Sequence, residues 1–263
     1  MDLQLRGKKA FISGSSQGIG YAIAKALAKE GVDVAINGRD AVKLSAAVES
    51  LREKVPGASV AGLVADFADP DQVAQLCAEL ADVDMLINNV GLFELKSFDL
   101  ISDEDWWSYF EVNVLSGVRL ARHVIPTLLE RGWGRVVFVS SESGVNIPAE
   151  MIHYGTSKAA MLAVGNGLAK LTRGTGVTVN SVIGGPTYSD GVAQTVGELA
   201  HQSAASVADM KKAIIATNQT SLLERFIEPS EIANMVAFLA SPVASATNGS
   251  AVRVDGGVLT HMF

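Results

Sequence analysis

Short apolar runs of strand length alternate with longer Ala- and Leu-rich stretches of helical period along the whole chain, and this alternation most constrains its fold. The spacing predicts strands over 8–13, 33–37, 59–65, 83–88, 134–141, 177–183 and 250–254. Helices are expected over 18–30, 40–54, 70–81, 103–130, 154–173 and 229–240. A strand, a helix and a further strand close as a right-handed crossover, so the strands run parallel with helices on both faces. The second strand, Val32 to Ile36, is short and largely apolar, as a strand covered on both faces should be. The expected architecture is α/β: one doubly wound domain over 1–263 with a seven-stranded parallel sheet in the order 3-2-1-4-5-6-7. A chain of 263 residues fits one such domain, and no linker or charge block divides it.

Three motifs carry chemistry. Gly14, Ser15, Ser16, Gln17, Gly18, Ile19 and Gly20 follow the apolar strand Ala10-Phe11-Ile12 and open a helix. Glycines there let the backbone approach a pyrophosphate, which the helix N-terminus would hold with its free N–H groups. The spacing is G-x-x-x-G-x-G, and no G-K-[ST] follows it. Further on, the apolar run 134–139 ends in the hydroxyls of Ser140, Ser141 and Ser143, as expected of a central strand opening on a crevice. Tyr154 and Lys158, four apart at the head of an Ala-rich helix, share one face. A cation beside a phenol favours phenolate, so the pair suits proton transfer to or from a substrate oxygen.

With Asn88-Asn89-Val90-Gly91, Asn113 and the closing Val254-Asp255-Gly256-Gly257, these motifs stand in the order and spacing of the short-chain dehydrogenase/reductase family, which the chain resembles over nearly its whole length. The likeness extends to its 3-oxoacyl-acyl-carrier-protein reductase-like members and implies a Rossmann-like fold. It implies hydride transfer between a nicotinamide cofactor and a carbonyl or secondary alcohol, with Asn113, Ser141, Tyr154 and Lys158 as the catalytic set. The family spacing of thirteen to Tyr154 selects Ser141 among the three serines. Tyr154 would protonate the carbonyl oxygen, Ser141 would polarise it, and Lys158 would lower the Tyr154 pKa and hold the nicotinamide ribose. Asn113 would hold a water in a proton relay from Lys158. All four being present argues against a catalytically silent nucleotide-binding module. An epimerase or dehydratase would need further acid/base groups.

The cofactor contacts that the resemblance implies are Gly14, Ser16, Gln17, Gly18, Ile19, Gly20, Arg39, Asp66, Phe67, Asn89, Gly91, Tyr154, Lys158, Gly185, Pro186, Thr187 and Ser189. Gly38 stands where NAD-preferring members place an acid, and Arg39 falls in the basic position of NADP-preferring ones. NADP(H) is therefore expected, with an NAD(H)-dependent alcohol dehydrogenase of the same family as the alternative. Gln17 occupies a slot where many NADP-preferring members carry Arg or Lys. Asp40 is expected to cap the next helix, whereas Asp66 suits either the adenine amino group or a cap near Pro70. Gly184 replaces the family's usual Pro, which should loosen the loop that follows, while Gly185 keeps a close backbone approach. Ser189 falls at the family's usual Thr, with Thr187 as a substitute hydroxyl.

The net charge of −7 offers no footprint for nucleic acid. Apolar runs are too short for a membrane span, no signal segment is expected, and the lone Cys77 suits a reducing, cytoplasmic setting in which the sequons at Asn218 and Asn248 carry no glycan. No metal-ligand spacing occurs. Residues 188–223 read as a substrate lid, and Leu92, Phe93, Glu142, Glu150 and Met151 fall near the crevice by motif position. The resemblance implies that the helices at 103–130 and 154–173 pair across a two-fold, which the small-residue stripe of the second suits, and a homotetramer is expected.

Overall fold

In a computed structural model, which describes residues 1–262, seven strands form one parallel sheet in the order β3-β2-β1-β4-β5-β6-β7. These are β1 (Lys9–Ile12), β2 (Asp33–Gly38), β3 (Val60–Val64), β4 (Met85–Asn88), β5 (Trp133–Ser141), β6 (Gly176–Gly184) and β7 (Ala251–Val254). The expected strand order and fold class are both found. Two apolar layers cover the sheet. One packs α1 (Gly18–Lys29), α2 (Ala41–Lys54) and α9 (Pro229–Leu239) on it through Ile23, Leu27, Leu44, Leu51, Ile232 and Val236. The other uses Val73 and Leu76 of α3 (Pro70–Ala78), Leu120, Val124 and Leu128 of α5 (Ser116–Arg131), and Met161 of α6 (Ile152–Ala169).

Local chemistry sets the helix ends. The Asp40 carboxylate accepts from the Val42 and Lys43 N–H groups and starts α2, as expected. At α3 the cap is Asp69, with Pro70 just inside the helix. Asp66, three residues earlier, instead accepts from the Ala68 N–H, so the capping alternative for Asp66 at Pro70 is not realised. Helix α5 stops at Gly132, whose φ of 72° is left-handed.

The helix expected over 103–130 is interrupted. It divides into α4 (Asp103–Tyr109), a π-helical turn over Phe110–Leu115, and α5. Asn113 lies in that turn with its side chain buried, and wider turns of this kind commonly occur at functional positions. The lid region holds two further helices, α7 (Asp190–Gln202) and α8 (Val207–Thr217), with a small apolar cluster of their own around Val196, Ile215 and Phe226. Gly184 proves to be the last residue of β6, paired with Ser141 on one side and Val254 on the other. The sheet thus holds the Gly184 backbone from both sides. No helix among the described residues is long and apolar enough to cross a membrane.

Candidate active site

Parallel strands deliver their carboxyl ends to one edge, and the candidate residues gather there. At β1, the Gly14 backbone has a φ of 58°, and a Cβ on Gly20 would lie 2.4 Å from the Gly14 carbonyl oxygen. Only glycine fits this crossing of loop and helix. Two side chains outside the expected set, Asn37 and Ser13, and one within it, Asn89, hold the loop. Asn37, buried at the end of β2, accepts from the Gly14 N–H at 3.0 Å and donates to the Leu63 and Ala65 carbonyls. Ser13 Oγ accepts from the Asn89 and Val90 N–H groups, and the Asn89 amide donates to the Ser13 and Gly14 carbonyls. Asn89 thus contributes to the phosphate loop by bracing it. The signal for Asn37 was present as one amide in an otherwise apolar strand.

The first helix carries an occupant at its N-terminus. Gly18 donates its N–H to Asp190 Oδ2 at 2.6 Å, so a carboxylate from the first turn of α7 stands on the amide expected to meet a phosphate. Gln17 caps α1 with its backbone alone.

Around β2, a Cβ on Gly38 would lie 3.1 Å from Ser16 Cβ and Oγ, leaving little room for an acid. Arg39 is exposed and makes none of the ion pairs found among the described residues. The Phe67 ring belongs to the core beneath the sheet, so its side chain does not line the crevice. Gly185 does make a close approach, but to protein: a Cβ there would be 2.5 Å from the Asp255 carbonyl oxygen. The Pro186 carbonyl accepts from the Ile227 N–H, and Thr187 Oγ1 turns back to the Gly185 carbonyl. Ser189 lines the crevice with Gly14, Ile19, Gly91, Tyr154 and Lys158, and its hydroxyl caps α7.

The four expected catalytic residues converge. Lys158 is 5% exposed, donates to the Val139 carbonyl at 3.1 Å, and lies 5.7 Å from the centre of the Tyr154 ring. Burial brings its pKa down to about 8. Burial also pushes the Tyr154 phenol up, the Ser141 hydroxyl beside it offsets part of that rise, and the Glu142 carboxyl adds to it. Burial, and not Lys158, dominates the phenol in this structure, and the ammonium donates to the Val139 carbonyl. Asn113 donates both amide hydrogens, to the Leu92 carbonyl and to Ser157 Oγ, and accepts from the Leu92 N–H. Its side chain clamps β4's following loop to α6 and has no hydrogen left for a water. Ser140 Oγ turns to the Lys158 carbonyl, while the Ser141 hydroxyl lies beside the Tyr154 phenol. His153, next to Tyr154, is buried against the Tyr109 ring, 4.1 Å between centres, away from the phenol's face. Glu142 turns its carboxyl inward onto Ser141 and Ser143, while Glu150 is exposed.

Comparison with known proteins gives this arrangement its class. The chain matches the short chain dehydrogenase family over residues 8–200 and belongs to it. It is 42% identical over 267 residues, and 100% of both chains, to the uncharacterised oxidoreductase YvrD of Bacillus subtilis (strain 168). It is 29% identical over 262 residues to the 3-oxoacyl-acyl-carrier-protein reductase of Aquifex aeolicus (strain VF5), covering 98% of this chain and 100% of that one. The L-sorbose reductase of Gluconobacter frateurii, solved with NADPH and L-sorbose, superposes with a TM-score of 0.94 at 32% identity over 100% of both chains. The chain is an NAD(P)-dependent oxidoreductase of this family.

Lys158 has a measurable cost to the fold. Its folded pKa of about 8 lies below the ordinary 10.5, so between those values the unfolded chain binds more protons and stability rises with pH. Below that window the buried charge costs its full amount, about 3 kcal/mol. Lys158→Met should therefore abolish activity yet raise unfolding stability near neutral pH by up to about 3 kcal/mol. Urea denaturation across pH should show this advantage closing between pH 8 and 10.5.

Proposed function

We propose that the protein reduces a ketone or aldehyde with NADPH, and oxidises the matching secondary alcohol in reverse, with Tyr154 as the general acid/base. The observation carrying this reading is that Tyr154 and Lys158 line one crevice with the glycine loop, with the Ser141 hydroxyl beside the Tyr154 phenol. The residues fit a dinucleotide: Gly14, Gly18, Ile19, Asn89 and Gly91 line one crevice with Tyr154 and Lys158, and on Gly91 a Cβ would sit 3.2 Å from Lys158 Nζ. Gly14, Gly18, Ile19 and Gly20 would hold the pyrophosphate, Ser16 and Arg39 the adenosine ribose phosphate, and Asp66 the adenine. Gly91, Lys158, Gly185 and Ser189 would hold the nicotinamide half. When bound, the reduced nicotinamide supplies the hydride. Tyr154 gives its phenolic proton to the developing alkoxide, and burial favours the protonated donor over a wide pH range. Ser141 donates a hydrogen bond to the same oxygen. Lys158 holds the ribose and fixes the β5–α6 geometry, and Asn113 fixes the approach of the Leu92 loop to α6.

For cofactor choice, the crowding at Gly38 disfavours an acid that would take the ribose hydroxyls, and the unpaired guanidinium of Arg39 suits a phosphate. For substrate, the L-sorbose reductase supports polyhydroxylated ketones in the first test panel. Residues 188–223 act as a lid. Ala204 and Glu224, two of the three non-glycine residues with positive φ among the described ones, flank α8 at its two turns. The protein assembles as a homotetramer, since Ala163 and Gly167 leave a small-residue strip of α6 exposed and Trp107 of α4 stands 76% exposed.

A spectrophotometric screen of ketoses, diketones, β-keto esters, aldehydes, quinones and secondary alcohols with NADPH and NADH side by side tests the reaction. Tyr154→Phe should keep fold and cofactor affinity and lose roughly 10²–10⁴-fold in turnover. Retention of most activity on a good substrate would overturn the scheme. Arg39→Asp should raise KM for NADPH so that preference shifts about ten- to hundredfold toward NADH, one charge-assisted bond being about 1.5–3 kcal/mol. Equal effects on both cofactors would make Arg39 a bystander. Light scattering at micromolar concentration should give four times the chain mass, and a monomeric mass would rule the tetramer out.

A further inference from the structure

Ser141 has one hydrogen and two lone pairs to place, and its neighbours decide where they go. The Ser143 N–H donates to Ser141 Oγ at 3.1 Å and to Glu142 Oε2 at 2.6 Å. Ser143 Oγ lies 3.1 Å from the same Oε2, and Ser141 Oγ is in short hydrogen-bond contact with it. One carboxyl oxygen thus gathers every polar contact found for this side chain, immediately beside the serine that would face a substrate.

Two proton arrangements satisfy this cluster. With Glu142 ionised, Oε2 accepts three hydrogen bonds, one of them from the Ser141 hydroxyl. Ser141 then has only lone pairs to offer, and these repel a carbonyl oxygen. With Glu142 protonated, Oε2 accepts the two Ser143 bonds and donates its own hydrogen to Ser141 Oγ. That fills both Ser141 lone pairs, because the Ser143 N–H already takes the other. The Ser141 hydrogen is then left free for the crevice.

We propose that Glu142 is a positioning residue acting in its protonated form, donating to Ser141 Oγ so that the Ser141 hydrogen points at the substrate's carbonyl oxygen. This rests on the reading that Ser141 faces that oxygen. No proton changes owner in this step, since Glu142 keeps its hydrogen throughout. The surroundings favour the neutral acid. Burial raises the Glu142 pKa, the Ser141 and Ser143 bonds oppose that rise, and the Asp255 carboxylate beyond β7 adds to it. Asp255 stays ionised on Arg253 and on the Gly257 and Leu259 N–H groups, so the like charge persists. From α6 the facing titratable group is Tyr154, and Lys158 on the same helix is committed to the Val139 carbonyl.

The consequence is an ionisation in carbonyl reduction that does not belong to Tyr154. The test measures kcat/KM against pH with NADPH and whichever of L-sorbose, butane-2,3-dione and ethyl acetoacetate turns over best. Wild type, Glu142→Gln, Glu142→Ala and Tyr154→Phe are compared, each checked for folding by thermal melt. Wild-type reduction should fall about tenfold per pH unit above a group titrating over the ordinary carboxylate range. In Glu142→Gln that limb should vanish, because an amide does not ionise over this range. Its nitrogen donates to Ser141 but cannot accept from Ser143, whose N–H keeps its bond to Ser141 Oγ, so activity should stay within about tenfold of wild type. Glu142→Ala should lose roughly ten- to hundredfold, as one hydrogen bond at the reacting oxygen would. Independently of any substrate, the infrared difference between wild type and Glu142→Gln should contain a carboxylic-acid C=O band that disappears on titration above the ordinary carboxylate range. A Glu142→Gln that keeps the wild-type limb, a Glu142→Ala matching Glu142→Gln, or absence of that band would each overturn the role. If Tyr154→Phe remains active, the reaction scheme itself fails; if it is dead while Glu142→Gln keeps the limb, only the Glu142 role fails.

Discussion

The site depends on one buried charge. Lys158 is held almost out of water with a single backbone carbonyl, that of Val139, and no carboxylate, as its partner. An ammonium in that position is costly, which is why its pKa falls to about 8. The surrounding fold is arranged around it. Gly91 has no Cβ because one would crowd Nζ, Gly144 has none because one would lie 2.8 Å from the Lys158 carbonyl carbon, and Ser140 bonds that same carbonyl. Strand β5 supplies the carbonyl and helix α6 the lysine, so the contact sets the spacing between Ser141 and Tyr154. A core built for stability alone would place a Met or Leu there. The chain keeps a destabilising charge at the one point where a crevice can use it.

The same logic explains the polar residues around the glycine loop. Asn37, Ser13 and Asn89 spend their side chains on backbone groups that have no strand partner at the sheet edge. Unbraced, those groups would be buried without partners, at a cost comparable to a lost hydrogen bond each. With them, the loop is rigid before any ligand arrives. Asn113 performs the corresponding task on the other side, where the π turn rotates its amide toward Leu92 and Ser157.

The sheet order was legible because strand and helix periods leave little choice of topology, and the Gly14, Ser141, Tyr154 and Lys158 cluster because its residue types stand at fixed offsets. What escaped reading lies in directions and partners. No periodicity shows that 103–130 widens at Asn113, since the cause is an amide bonded to a loop twenty-one residues earlier. Asp69 displaced Asp66 as the cap because Pro70 fixes where the helix starts. Lys158 and Tyr154 do share a helix face, yet burial of the phenol outweighs the pKa lowering expected from the ammonium, a balance that no spacing reveals. Glu142 falls near the crevice by motif position, but only the 3-10 turn that follows β5 reveals that its carboxyl folds back onto Ser141.

Asp190 ties the lid to these static features. It is the first residue of α7, and its carboxylate sits on the Gly18 N–H at the positive end of α1. A carboxylate there satisfies an amide that helix geometry leaves without a partner. A dinucleotide phosphate would compete for the same N–H and would repel the same carboxylate. The two anions cannot share one donor at contact distance, so on the proposed reading the Asp190 carboxylate leaves the Gly18 N–H when a cofactor phosphate enters.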